Sequence, residues 1–109
     1  DNTVVSTTTI NLKNVNFNYN LSSGGLLTPN PSWMPLRVFD DGAHTYIQFP
    51  EGMTSRDMPA LFIVNGDNKE LVNYRSKAPY FVVDKLFKKA ILVLGVGHDQ
   101  QQVTLTNNA

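Results

Sequence analysis

The sequence predicts an all-β fold: an antiparallel β-sandwich of two packed sheets with short hairpins and at most one short helical turn. Three observations predict it. Apolar residues recur with a period of two, turn-forming Gly, Pro, Asn and Asp interrupt them at short intervals, and the two unbroken apolar runs have the length of strands. The chain has 109 residues, enough for one core and too few for two.

Residues 1–13 are rich in Ser, Thr and Asn with little periodicity, and are expected to form a linker or a loosely held first strand. The opening "DNTVVSTTT" reads as the interior of a longer protein, so the chain is expected to be an excised domain. Residues 14–107 are assigned to the sandwich and 108–109 to a fraying tail. The first strand is placed over Val15 to Leu21. In its "NVNFNYN", asparagine alternates with Val15, Phe17 and Tyr19, so an extended backbone turns the apolar side chains one way and Asn14, Asn16 and Asn18 the other. Strands usually avoid asparagine. An amide face is uncharged and both donates and accepts hydrogen bonds, which suits a strand that is hydrated alone and bonded after docking. The competing reading packs Val15, Phe17 and Tyr19 inward and leaves plain solvent outside.

Three prolines and two glycines between Ser22 and Pro35 stop the ladder. Leu26, Leu27, Trp33 and Met34 give this stretch apolar weight, so it is expected to fold back on the sheet. "LRVFDDGAHTYIQF" reads as a hairpin turning at Asp41 and Gly42. That turn sets Phe39 opposite His44 and Arg37 opposite Tyr46 on one side, with Leu36, Val38, Thr45 and Ile47 on the other. Both faces carry bulk, which implies burial on one and a contact surface on the other. An exposed loop, "PEGMTSRDMP", then leads to a second hairpin of "ALFIV" and "ELVNYR", whose turn is either Asn65-Gly66 or all of "NGDN". "YFVVD" and "AILVLGV" are apolar on both sides and fit central strands, and "VTLT" ends the fold with Val103 and Leu105 inward. A helical stripe competes over Asp84 to Leu94, but the β-branched density and the glycines of "AILVLGVG" favour a strand, leaving at most a turn around "DKLFKK". No internal repeat is present.

Nine basic and nine acidic residues cancel, so no global field draws the chain to nucleic acid or to an anionic membrane surface, and direct nucleic-acid binding is not expected. No run is long enough for a membrane-spanning helix. The lack of cysteine excludes a disulfide framework and a thiolate metal site, and leaves the compartment open.

No catalytic, metal or cofactor site is expected. Asp40 and Asp41 are neighbours before a glycine, which makes them turn residues rather than converging acids. His44 and His98, the only histidines, have no His, Asp or Glu around them at ligand spacing. "GVG" lacks the third glycine and the helix of a phosphate loop, and neither a GxSxG nor a Walker sequence occurs. Lys85, Lys88 and Lys89, with Arg75 and Lys77, read as a solvated loop. Trp33, with Tyr19, Phe39 and Tyr46, is either a sugar-stacking platform, a protein hot spot or a plug of the sandwich rim.

"NFNY" followed by glycines, "WMPLRVFDDGAHTYIQFP", "VNYR", "YFVVDKLFKKAILVLG" and a final "VTLTN" resemble, in order and spacing, the C-terminal domain of the TrbG/CagX family. "VFDDG" with "TYIQFP" close behind is the specific part. The resemblance implies a non-catalytic β-sandwich in the outer-membrane core of a type IV secretion or conjugation machine. It also implies assembly with a small outer-membrane lipoprotein and a second channel-forming subunit in a homo-oligomeric ring. The domain is then expected in the periplasm, at the inner face of the outer membrane, with membrane association through partners. Partner contacts are expected at Asn14, Asn16, Phe17, Asn18, Tyr19, Leu26, Leu27, Trp33, Phe39, His44 and Tyr46. The alternative from another class is an extracytoplasmic carbohydrate-binding or adhesin-like sandwich, which needs a shallow groove of coplanar exposed rings.

Overall fold

The computed structural model describes residues 14–23, 30–53, 58–95 and 97–109. The strands are β1 (Tyr19–Ser23), β2 (Arg37–Asp40), β3 (Thr45–Gln48), β4 (Ala60–Asn65), β5 (Asn68–Val72), β6 (Arg75–Lys77), β7 (Tyr80–Val83), β8 (Lys89–Leu94) and β9 (Gln101–Asn107). They form a five-stranded sheet in the order β1-β9-β8-β4-β5 and a four-stranded sheet in the order β2-β3-β7-β6. Every pairing is antiparallel. This is the predicted sandwich.

The period of two decides which side chains meet between the sheets. From the five-stranded sheet come Leu61 and Ile63, Ala90 and Leu92, Val103 and Leu105; Val38, Ile47 and Val83 face them from the other. The two apolar runs became β7 and β8, and each lies inside its sheet as expected. The chain changes sheet between β5 and β6, so "ELVNYR" is two strands and not one. There the Tyr74 hydroxyl donates to the carbonyl of Pro59, and burial pushes its pKa up to about 12.

Several expectations need correction. The first strand starts at Tyr19, four residues later than Val15, and residues 14–18 form no ladder beyond one bridge between Asn16 and Asp40. The β2–β3 register is Phe39 opposite Tyr46 and Arg37 opposite Gln48, two residues off the prediction. The cause is the loop: the Asp41 carboxylate accepts the N–H of Ala43 at 2.9 Å and of His44 at 2.7 Å, which closes a four-residue connection with Gly42 at φ 90°. A shift of two keeps every side chain on its predicted face. The β4–β5 turn is Gly66-Asp67, with Asn65 opposite Asn68. At the described ends of the loop after Pro50, Glu51 and Gly52 are exposed as expected, while Met53 and Met58 lie against the core. The short helical turn is at Gly97–Asp99, not around "DKLFKK". The end of the chain is tied in rather than fraying: Asn108 donates its N–H to the carbonyl of Asn18 at 2.8 Å.

Candidate partner-binding interface

Strand alternation places Phe39, Tyr46, Val82 and Tyr80 on the outer face of the four-stranded sheet, away from the main core. Phe39 and Tyr46 stack at 5.1 Å with their planes 10° apart, and Tyr80 stands edge-on to both. Such a face would normally lie open. Here the chain's own residues 14–18 cross it: Val15 packs into the cluster, and the Phe17 ring rests 5.3 Å from Phe39. Phe39 and Tyr46 are consequently only 3% and 6% exposed, while Phe17 above them is 63% exposed. The outermost ring of the stack is therefore Phe17.

What holds this segment is a polar node at one end of the sandwich. Asp40 and Thr45 are the buried polar side chains among the described residues. One Asp40 carboxylate oxygen accepts the Tyr19 hydroxyl at 2.6 Å and the Asn16 amide at 3.0 Å, and the other accepts the N–H of Gly42 at 2.9 Å. Asn16 also exchanges both backbone hydrogen bonds with Asp40. Its amide donates further to Asn107 at 3.0 Å, and its carbonyl oxygen accepts the N–H of Asn18 at 2.9 Å. Asn107 in turn donates to the carbonyl of Phe87. The node joins the first described segment, the end of β2, the end of β9 and the β7–β8 loop. Burial, then the neighbouring Asp40 carboxylate, pushes the Tyr19 pKa far above the usual phenol value, so Tyr19 stays a donor.

The asparagines also bond within the chain: half-buried Asn16 is an internal staple, and exposed Asn18 donates its amide to the carbonyl of Asn108 at 3.2 Å. Asn14 is exposed. Asn16 donates two N–H bonds and accepts one at the same time, whereas Thr has a single donor and Lys no acceptor.

A charged rim borders the aromatic stack. Arg75 forks onto Asp84 through bonds of 2.9 and 2.7 Å, which holds the Asp84 carboxyl below its usual pKa. His44 lies 3.6 Å from Asp41 and 3.6 Å from Asp84. Burial acts to raise the Asp41 pKa, but the N–H groups of His44 and Ala43 and the Tyr46 hydroxyl outweigh it and hold it below the ordinary value. Among the described residues no group of three His, Cys, Asp or Glu converges to hold a metal.

The predicted contact residues thus divide. Phe17 is at the surface against Phe39, and His44 is half-exposed between Asp41 and Asp84; the Phe39 and Tyr46 stack itself offers no free ring. Trp33, expected among the contacts, is 5% exposed in the main core, and its indole N–H donates to Gln101 at 3.0 Å; of its three readings, the plug is the one the structure bears out. Tyr19 is turned inward by Asp40. Leu26 and Leu27 lie outside the described residues. Asp40, which organises the whole face, gives the sequence a single signal, the doubled acid before glycine, and that signal points to a turn. With Trp33 buried and Phe39 stacked on Tyr46, the coplanar exposed rings required by a sugar site are missing among the described residues.

A family model described as "Conjugal transfer protein" (CagX) matches residues 2–108. The chain belongs to the CagX family. This CagX-family domain is 42% identical over 91 residues to the probable conjugal transfer protein TrbG of Sinorhizobium fredii, covering 84% of the chain and 32% of that relative. It is 36% identical over 85 residues to the type IV secretion system protein virB9 of Brucella abortus, covering 74% of the chain and 27% of that protein; virB9 of Brucella suis matches equally. The chain spans about a third of the length of the curated relatives it matches.

Proposed function

We propose that this domain is a non-catalytic docking module in the outer-membrane core of a conjugation or type IV secretion channel. It binds a small outer-membrane lipoprotein on the outer face of the four-stranded sheet, and assembles with neighbouring channel subunits into a homo-oligomeric ring on the periplasmic side of the outer membrane. The observation that carries the reading is Phe17: a ring 63% exposed, fixed at the top of a rigid aromatic stack and bordered by the His44, Asp84 and Arg75 rim. A pre-ordered aromatic anchor needs no further ordering when a flexible partner folds over it. Residues 14–107 are the unit that does this.

The test is an amide NMR titration of the labelled domain with the mature N-terminal peptide of the lipoprotein encoded beside it. The expected result is saturable shifts centred on residues 15–18, His44, Tyr80 and Asp84. An unchanged spectrum at high peptide excess, or shifts confined to the other sheet, contradicts the proposal.

A further inference from the structure

The outer face of the five-stranded sheet is a second candidate surface, independent of the first. Register places Leu71 beside Phe62 and Ile91 in one row, flanked on one side by Ala60 and Val93 and on the other by Lys69, Val64 and Lys89; Ile91 is itself buried, so Leu71 is the open apolar side chain of the row. Leu71 is 62% exposed, in the middle of the edge strand β5. Beside it, between the start of β4 and the end of β5, opens a cavity of about 460 Å³ bordered by Pro59, Leu71 and Tyr74. Lys69 and Lys89 lie two strand spacings apart, roughly 10 Å, on the same face. The row positions of that face, in all five strands, include no Asp or Glu, and the Lys and Arg ion pairs among the described residues are Arg75–Asp84 and Lys85–Glu70.

We propose that this surface docks an extended, apolar polypeptide segment flanked by carboxylates, contributed by a different subunit of the channel. Three features select that occupant. β5 has no strand partner on its outer side among the described residues, so half of its backbone N–H and C=O groups point outward, where an added strand can pair with them in series. Leu71 and the cavity beside it accept one apolar side chain of such a strand. The two lysines, with no acid on their face, are the complement of carboxylates on the segment. A lipid surface would meet the lysines and Leu71 but leave the strand edge unpaired, and a second copy of this face would set lysine against lysine. The inference rests on the chain working inside a multi-subunit channel, but not on where the lipoprotein binds.

The experiment places the photocrosslinker p-benzoylphenylalanine at Leu71, and separately at Phe17, of the full-length protein in channels assembled in cells, and sequences the adducts. The expected result at Leu71 is an adduct to another channel subunit, on an apolar segment with Asp or Glu adjacent. Its yield per assembled channel should fall about tenfold with Lys69→Glu plus Lys89→Glu and about threefold with the milder Lys69→Gln plus Lys89→Gln, as expected for removed charge complementarity. An adduct to a second copy, to the same chain or to lipid, no adduct, or a yield indifferent to both lysine pairs overturns the proposal. The Phe17 adduct reports on lipoprotein docking separately, so either reading can fail alone.

Discussion

The two outer faces of this sandwich solve the same problem in opposite ways. Each sheet has one side in the core and one side carrying apolar bulk. On the four-stranded sheet the chain closes its own surface: residues 14–18 are stapled across Phe39 and Tyr46 by the Asn16–Asp40–Asn107 node, and a single ring, Phe17, is left on top. On the five-stranded sheet no described segment crosses, and Leu71 stands open beside two lysines. Exposure of an apolar side chain thus arises from ordering in one place and from an uncovered edge in the other. The first surface depends on a buried carboxylate and should be lost with it, whereas the second should be indifferent to it.

The largest effect expected is from Phe39→Ala, which removes the floor of the stack. Deleting a buried aromatic costs about 4 kcal/mol, against less than about 0.5 kcal/mol for Leu71→Ala on the open face; urea unfolding measures both. Comparable losses for the two would erase the distinction. Asp40→Ala is next, at about 3 kcal/mol, because the Tyr19 hydroxyl, the Asn16 amide and the Gly42 N–H lose their shared acceptor. Asp40→Asn keeps the shape and should cost less. In both, amide exchange at residues 15–18 should accelerate while Phe62 and Ile91 stay protected. Equal acceleration everywhere would mean the node is only a stability element.

A smaller effect separates the faces by pH. The Asp41 pKa is lowered on folding from its ordinary 3.8, so the folded state binds its proton less readily than the unfolded chain. Its contribution to stability is therefore complete above about pH 4 and is lost as the pH falls through the lowered value. Amide exchange of Ala43 and His44 should accelerate first in that window. The open face has no carboxylate in its rows, so its β4 and β8 amides should not respond there.

Much of this was legible in the sequence because the period of two is a local signal. It assigned Val103 and Leu105 of β9 inward correctly and set the two apolar runs inside their sheets, and the β2–β3 hairpin kept its two faces even with the register two residues away. What was not legible depended on partners distant in the chain. Trp33 is a core residue because Gln101 meets its indole N–H, and nothing near Trp33 announces that. The asparagines looked like one face of a strand because alternation was all that could be seen. The Asp40 carboxylate and the Asn107 side chain that draw Asn16 inward lie 24 and 91 residues away.

The comparison of the two faces is tested most directly by the dissociation constant of the lipoprotein peptide, from NMR titration, for the unaltered domain, Phe17→Ala and Leu71→Ala. Burying a phenylalanine ring contributes about 1.5–3 kcal/mol, so the account predicts binding weakened roughly tenfold to a hundredfold by Phe17→Ala and unchanged by Leu71→Ala. Loss of binding in Leu71→Ala with Phe17→Ala unaffected would contradict it.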